Sequence, residues 1–354
     1  MDLTPAQLDR AIGAVVGSAV GDALGAGYEF TYPAEDLIPE MIGGGLGNFA
    51  PGEWTDDTAQ AAAILRVAAT GADLRTPAAL DAIAQGFMDW FEGDPPDVGN
   101  QTRAVFNKLG PAPSAKEMSA AAKEIHDLTG RSAGNGALMR TGPVALAYLG
   151  DSAGLVEVAR LVSQLTHYQR EGWEAAAVWC LMIRHAVLKG EQPMFDDVAP
   201  WVPSPEYWRA VLEEAESKPP SAFTQNAWSV GALQAAWSAI SHSRGLSERS
   251  ESKPETKPSE TEDSRGLGER REESERGATS EPTPFELTLH TAIRIGHDTD
   301  TVAAIAGALA GAVWGAAAVP ERWLAPLHGW PGLNAEDLKD LTTRTVLFRR
   351  RSEG

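Results

Sequence analysis

Two stretches of this sequence, GAVVGSAVGDALG at residues 13–25 and GALAGAVWG at residues 307–315, place a glycine at every fourth position. Residues four apart lie on one face of an α-helix, so each stretch predicts a helix with glycine along one side. A glycine costs up to about 1 kcal/mol relative to alanine inside a helix, and something must offset that cost. We expect the missing Cβ atoms to let another backbone approach closely, which makes these two segments the buried central helices of the fold.

A membrane helix is the alternative for the apolar residues 301–319, because small residues four positions apart also serve helix contacts in membranes. The sequence favours burial in protein. Alanine and glycine are poor lipid anchors, a second span is not evident, and the flanks lack basic residues. We therefore expect no membrane as a partner.

The rest of the chain reads as a succession of alanine-rich helices. Hydroxyl residues precede proline at Thr4-Pro5, Thr76-Pro77 and Ser204-Pro205, a pattern typical of helix starts. Helical periodicity continues in six further runs, at 61–67, 79–91, 155–165, 175–188, 228–240 and 287–295. The predicted fold class is all-α, with one large helical domain formed by residues 1–242 and 285–354.

Residues 243–284 stand apart in composition. They include no aromatic residue, valine or isoleucine and consist mainly of serine, glutamate, arginine, lysine, proline and glycine. Such a segment cannot bury enough apolar surface to offset the entropy of ordering. We predict a disordered charged insert, in which a docking motif is an alternative without support from composition.

Composition and charge exclude several classes of protein. The 354 residues include 30 Lys and Arg, 49 Asp and Glu and one Cys, for a formal net charge of −19. This balance repels phosphate backbones, so no nucleic acid is expected as a partner. One cysteine cannot form an internal disulfide or a thiolate zinc cage. No basic region followed by an apolar run is visible at the start, and we expect a cytoplasmic protein.

Two acidic motifs, WTDDT at 54–58 and GHDTDT at 296–301, each precede a helical run. Taken alone, either motif is explained by helix capping. Together they hold four carboxylates and two hydroxyls, whose mutual repulsion would raise their pKa values unless a cation neutralised it. Oxygen ligands without sulfur favour Mg²⁺, Mn²⁺ or Ca²⁺, and this number of ligands suffices for two ions.

These motifs resemble the ADP-ribosylglycohydrolase family. The resemblance is carried by GDALG at 21–25 with Tyr28-Glu29, by TDDT at 55–58, NGALMR at 135–140 and Thr166-His167, and by DTDT at 298–301, which occur in family order. It implies an all-α fold and a centre of two Mg²⁺ or Mn²⁺ ions. The implied metal ligands are Thr55, Asp56, Asp57, Asp298, Asp300 and Thr301.

The same resemblance suggests two catalytic acids. Glu29 matches a glutamate near the metals that handles water or gates the cleft; the alternative is a solvated acid in a loop. Asp97 resembles an acid beside the scissile ribose; the alternative is an ordinary helix cap. Carboxylates and an oriented water suit the oxocarbenium-like state through which ribosyl bonds break.

Substrate binding is expected from three segments. The glycine-interrupted loop with Ser132, Gly134, Asn135 and Gly136 offers free amides to a diphosphate, although a plain turn is the alternative. Adenosine contacts are expected from His167 and Tyr168, for which a structural histidine is the alternative. The remaining predicted contacts follow Asp97 and are Gly99 and Asn100.

Two departures from the family pattern lie near these motifs. His297 stands where many relatives have a small residue, and Gln169-Arg170-Glu171 replaces the usual Asp-Pro-like continuation. Neither removes a predicted metal ligand. If the two glycine helices pack along their stripes and share one cleft, they must run antiparallel, because Glu29 follows the first helix and Asp298 precedes the second.

The favoured function is metal-dependent hydrolysis that releases ADP-ribose from a modified protein side chain, most simply N-linked arginine. Other ADP-ribosyl linkages, to serine, nucleic acid or small compounds, are the nearest alternative. A noncatalytic ADP-ribose-binding or crystallin-like relative and a calcium-stabilised interaction protein are the others. The sequence identifies neither the protein target nor the oligomeric state.

Overall fold

A computed structural model describes residues 2–251 and 281–348 of the chain. Over this part it contains fifteen α-helices and one antiparallel pair of two-residue strands, so the all-α prediction is confirmed. The helices are α1 (Pro5–Gly25), α2 (Asp56–Ala68), α3 (Pro77–Glu92), α4 (Asn100–Phe106), α5 (Ala115–Thr129), α6 (Gly142–Ala147), α7 (Ser152–Ser163), α8 (Arg170–Lys189), α9 (Phe195–Val198), α10 (Pro205–Ser217), α11 (Ser229–Glu251), α12 (Pro284–Arg294), α13 (Thr299–Trp314), α14 (Glu321–Leu324) and α15 (Ala335–Phe348). The strands are β1 (His328–Gly329) and β2 (Leu333–Asn334).

Helices α1 and α13 pack backbone to backbone along their glycine stripes. A Cβ on Gly17 would lie 2.5 Å from the carbonyl oxygen of Gly307, and one on Gly13 would collide with the backbone at Gly311. Gly25, at the other end of the stripe, faces the backbone of Asp300. Residue numbers therefore rise along α1 while those of the contacted residues fall along α13, from Gly311 to Asp300. The helices run antiparallel, as predicted.

One helix in the described part of the chain, Pro5–Tyr28, is long and apolar enough to cross a membrane by length and composition. In this fold 78% of the most apolar 18-residue stretch of this helix is buried inside the protein. The burial comes largely from α13, of which all residues from Thr299 to Ala312 are buried. Close packing between glycine faces therefore accounts for the apolar character of both helices.

The three predicted proline starts are confirmed, since α1, α3 and α10 begin at Pro5, Pro77 and Pro205. Thr4 and Thr76 accept hydrogen bonds from the third amide beyond them, as N-caps do. Ser204 differs. Its backbone has a φ of 52°, and its hydroxyl donates instead to Glu174 Oε1 at 3.3 Å.

Helices α8, α11 and α12 pack around the central pair and complete the core. Trp179 on α8 donates from Nε1 to the carbonyl oxygen of Ile305 on α13 at 3.0 Å. The ends of the predicted insert also belong to helices: α11 continues to Glu251, and α12 begins at Pro284. Ser243, the first residue of the predicted insert, is buried and donates to the carbonyl of Ala239 at 2.6 Å. Residues 252–280 of the insert lie outside the described residues.

Gly17→Ala is expected to destabilise the protein by about 3 kcal/mol or more, because the new methyl group meets backbone that can move only if α1 and α13 separate. Gly172→Ala is the matched control. A Cβ at that helical glycine would lie 3.5 Å from Ala133 Cα, which is ordinary contact, and helix propensity favours alanine by up to about 1 kcal/mol. Denaturant unfolding of both variants measures the difference, and equal midpoints would contradict the proposed helix contact.

Candidate metal centre and cleft

The two acidic motifs meet where α2 and α13 begin. Thr55 Oγ1 lies 3.2 Å from Asp57 Oδ2 and 3.4 Å from Asp300 Oδ2, and Thr301 Oγ1 lies 3.4 Å from Asp57 Oδ2. Capping was the alternative for each motif. Thr55 and Asp298 occupy the N-cap positions of these two fully described helices, yet neither side chain bonds to an amide of its own helix. The polar side chains face one another instead.

Asp22, in the last turn of α1, supplies the cap that α2 lacks. Its carboxylate accepts hydrogen bonds from the backbone amides of Thr55 and Thr58, both at 2.9 Å. Asp22 lies within the GDALG motif at 21–25, but no role was predicted for it from the sequence. A signal was present, because Asp22 is the only charged residue between Ala11 and Tyr28, on a helix predicted to be buried.

Two groups of carboxylates are close enough to hold metal ions. Ligand oxygens of Asp22, Asp57 and Asp300 all lie within 4.8 Å of one another, and so do those of Glu29, Asp298 and Asp300. Asp300 belongs to both groups. Glu29, predicted as a catalytic acid, therefore lies among the candidate ligands.

Asp56 belongs to neither of these groups. Its carboxylate lines the cleft and accepts a hydrogen bond from Gln60 Nε2 at 3.2 Å. The predicted ligand Asp56 therefore sits on the cleft wall beside the centre, while Thr55 and Thr301 each contact Asp57.

Burial and crowding make this centre electrostatically unfavourable without a cation. Burial, and then the neighbouring carboxylates, raise the pKa values of Asp56, Asp57 and Asp300 well above the usual range of aspartate. Burial, together with Asp298 and Asp97, raises the pKa of Glu29 to about 8. Asp57 Oδ1 is buried with no hydrogen-bond partner among the described residues. A divalent cation would satisfy that oxygen and offset the repulsion, and a donor set of carboxylates and hydroxyls fits a hard ion such as Mg²⁺ or Mn²⁺.

Two asparagines fix Asp298. Asn135 donates from Nδ2 to Asp298 Oδ2 at 2.8 Å. Asn226 accepts from the amide of Asp298 at 3.2 Å and donates to the carbonyl of Gly296 at 3.0 Å. Asn135 was predicted to bind substrate, and Asn226 was not predicted at all. The sequence carries no signal for Asn226, since it lies in an unremarkable segment between helices and acts only through the tertiary fold.

A cleft of about 400 Å³ opens beside this centre. Both predicted catalytic acids line it, together with six of the eight predicted substrate residues, Gly99, Asn100, Gly134, Asn135, Gly136 and His167. The capping alternative for Asp97 is wrong, because the N-cap of α4 is Gly99. Burial raises the pKa of Asp97, with Asp298 adding to the rise.

The two other predicted substrate residues lie outside this cleft. Ser132 lines an adjoining cavity of about 730 Å³, to which Gly134 also contributes. The Tyr168 ring packs against His126, with a distance of 6.1 Å between ring centroids. Substrate contact by Tyr168 is not supported by this placement, because the residue lines neither the cleft nor the adjoining cavity.

The two departures from the family pattern lie at the adjoining cavity. His297 lines it with a backbone φ of 64° and packs edge-on against Phe30. Gln169 ties down the glycine-interrupted loop: its Oε1 accepts from the amide of Ser132 at 2.9 Å, and its own amide donates to Ser132 Oγ at 3.0 Å. Gln169 therefore shapes the extension of the cleft. His297 also reaches the metal side, because its Nδ1 lies 3.0 Å from Oδ1 of Asn226, the residue that fixes Asp298.

Comparison with known proteins agrees with this geometry. The family model for ADP-ribosylglycohydrolase matches residues 3–353. The chain is 33% identical over 196 residues to the ADP-ribosyl-[dinitrogen reductase] glycohydrolase of Rhodospirillum rubrum, a match that covers 52% of this chain and 60% of that protein, less than two thirds of its length. It is 25% identical over 328 residues to the ADP-ribosylarginine hydrolase Tri1 of Pseudomonas putida (strain GB-1), covering 91% of this chain and 75% of that protein.

A vertebrate relative and a solved structure match over greater lengths. The ADP-ribosylhydrolase ARH3 of Bos taurus is 29% identical over 349 residues, covering 91% of this chain and 90% of that protein. A solved structure titled ADP-ribosylglycohydrolase-related protein complex superimposes with a TM-score of 0.65 at 27% identity, covering 98% of this chain and all of that one. The chain therefore belongs to the ADP-ribosylglycohydrolase family, whose members are enzymes that act on glycosyl ADP-ribose linkages.

Proposed function

We propose that this ADP-ribosyl hydrolase depends on two divalent ions, Mg²⁺ or Mn²⁺, and releases ADP-ribose from modified arginine side chains of proteins. The observation that carries the proposal is the meeting of Asp57 and Asp300 at two helix starts, where ligand oxygens of both residues and of Asp22 lie within 4.8 Å of one another. The names of the Rhodospirillum rubrum and Pseudomonas putida relatives support the choice of a protein-linked arginine.

The ligands we assign are the two carboxylate groups that share Asp300, with the hydroxyls of Thr55 and Thr301 beside them. Bound there, the ions would supply Lewis acidity and orient ribose hydroxyls and a water molecule. The protein contributes rigid placement of the ligands, because Asn135 and Asn226 hold Asp298 and the amides of α2 hold Asp22.

The acids on the cleft wall carry the proton transfers in this proposal. Cleavage of the bond between the ribose anomeric carbon and an arginine nitrogen needs a proton on the departing nitrogen and a base for the attacking water. Asp97 is the acid we assign to the departing group, because burial raises the pKa of its carboxyl and it holds a proton more readily than an exposed aspartate. Glu29, between the centre and the cleft, positions the water and accepts its proton.

Purified protein should hydrolyse an ADP-ribosylarginine peptide with Mg²⁺ or Mn²⁺ and lose that activity in EDTA. Asp57→Asn and Asp300→Asn should each lower kcat/KM by about 100-fold or more, since either change removes a buried anionic ligand. Asp340→Asn, at an exposed acid on α15, is the control and should leave the rate unchanged. A panel of defined linkages decides the substrate: cleavage of ADP-ribosylserine with arginine spared would overturn the linkage, and inactivity on every linkage would overturn the function.

Metal should stabilise the protein more strongly as the pH rises. Without metal, the raised pKa values mean that the folded state holds protons that the unfolded state has lost, so the free energy of unfolding falls as the pH rises through the folded pKa values, that of Glu29 being about 8. A divalent ion replaces those protons. The increase in Tm caused by Mg²⁺ or Mn²⁺ should therefore be small at about pH 5 and largest near pH 8.

Asp57→Asn is the control for this measurement, because one buried carboxyl is replaced by a neutral amide of similar size. The variant should show a smaller dependence of Tm on pH without metal and a smaller increase in Tm with it. An increase in Tm that is equal at both pH values in the unmodified protein would contradict a buried carboxylate centre.

A further inference from the structure

Arg140 is a buried cation that does not reach the cleft. The residue follows the short 3₁₀ turn Asn135–Ala137, and its side chain is completely buried. Its guanidinium lies 4.5 Å above the Phe87 ring, and burial lowers its pKa to about 9. Within the described part of the chain, no carboxylate lies within ion-pair distance of it. Burying a charge without an ion pair is costly, so the hydrogen bonds that Arg140 makes to polar groups must offset part of that cost.

One arm of Arg140 leads to the metal side of the cleft. Its Nη1 donates to Gln60 Oε1 at 2.5 Å, and Gln60 Nε2 donates to Asp56 Oδ2 at 3.2 Å. A guanidinium can only donate, so the Gln60 atom that faces it must be the amide oxygen. The amide NH₂ is thereby turned towards the carboxylate of Asp56.

The other arm leads to His167. Nη2 donates to Thr166 Oγ1 at 2.6 Å, and that hydroxyl lies 2.7 Å from His167 Nδ1. Because Thr166 Oγ1 accepts from Arg140, its single proton is free to go to Nδ1. With the hydroxyl proton in that direction, Nδ1 is the acceptor of the imidazole and the ring proton would sit on Nε2.

Nε2 is the ring nitrogen of His167 that is turned to the cleft. His167 Nε2 lies 3.2 Å from the positions that Cβ atoms would take on Gly134 and Gly136, and all three residues line the cleft. Burial, together with the charge of Arg140, lowers the pKa of His167 to about 3, so the ring is neutral. A proton on Nε2 would therefore give the cleft an uncharged N–H donor beside the loop expected to bind a diphosphate.

We propose that Arg140 is a positioning residue that sets the direction of two hydrogen-bond relays, through Gln60 to Asp56 and through Thr166 to His167. It orients the carboxylate of Asp56, on the cleft wall beside the assigned metal ligands, and a substrate-facing donor at once without touching substrate. The value of these two groups to catalysis rests on the proposed function, but their orientation in the free protein does not.

The tautomer of His167 tests the second relay without metal or substrate. Long-range ¹H–¹⁵N spectra of the metal-free protein, with the His167 signals assigned by their loss in His167→Gln, should show a protonated Nε2 and a bare Nδ1. Thr166→Val removes the hydroxyl at nearly constant shape and should move a measurable fraction of the ring to the other tautomer. Thr166→Ser restores the hydroxyl and should restore the original spectrum.

The affinity for Mn²⁺ tests the first relay. Gln60→Met keeps the side-chain volume but cannot donate to Asp56, and it should weaken Mn²⁺ binding about tenfold or more while leaving the His167 tautomer unchanged. Thr166→Val should show the converse pattern, with an altered tautomer and Mn²⁺ affinity within about twofold of the unmodified protein. Arg140→Lys should disturb both readouts.

The relay would be overturned by a protonated Nδ1 in the unmodified protein, by a tautomer that Thr166→Val leaves unchanged, or by a folded Arg140→Lys variant that moves neither readout. If Arg140→Lys does not fold, the two isosteric variants decide the matter. Failure of the unmodified protein to bind Mn²⁺ would contradict the proposed function instead, and the tautomer measurement would still decide the Thr166 relay.

Discussion

The contact between α1 and α13 is the constraint on which the rest of the structure depends. Glycine against glycine brings the two backbones so close that a single methyl group on the stripe has no room. The glycine stripe of α1 ends beside the candidate metal centre, where a Cβ on Gly25 would lie 2.5 Å from Asp300 Cα. The same packing therefore buries the apolar faces and places Asp300 beside Asp22, one turn before the end of α1. A loss of close packing along the stripe would separate the carboxylates that the site needs.

The site concentrates unfavourable charge, and the fold compensates for only part of it. The amide ends of α2 and α13 favour the acids placed there. Asp22 lies at the other, electronegative end of its own helix, and two amides of α2 offset that position. Burial, and after it the neighbouring carboxylates, keep the pKa values of Asp57 and Asp300 well above the usual range of aspartate even with these contacts made. A divalent ion bound to these carboxylates would remove the repulsion between them. Part of the unfavourable electrostatic free energy of the centre would then be regained as metal-binding free energy.

Periodicity and caps predicted the helices because both signals are local. The glycine stripes also predicted the antiparallel contact, since a face without Cβ atoms has few uses other than close approach. Tertiary roles were harder to predict. Asn226 has no motif and acts only because its loop meets Asp298, and Ser204 has a cap sequence but bonds to Glu174. Tyr168 was predicted to bind substrate together with its neighbour His167. His167 lines the cleft, whereas the ring of Tyr168 packs against His126. The side chains of adjacent residues just before a helix, such as His167 and Tyr168 before α8, point in different directions. A sequence motif does not show which of them faces a ligand.

Anomalous diffraction from crystals grown with Mn²⁺ is the most direct measurement of whether the two acidic motifs form one metal centre. We predict a strong peak within about 2.2 Å of carboxylate oxygens of both Asp57 and Asp300, at the junction of α2 and α13. A peak elsewhere on the surface, with no density at this junction under Mn²⁺ concentrations that support full activity, would contradict it.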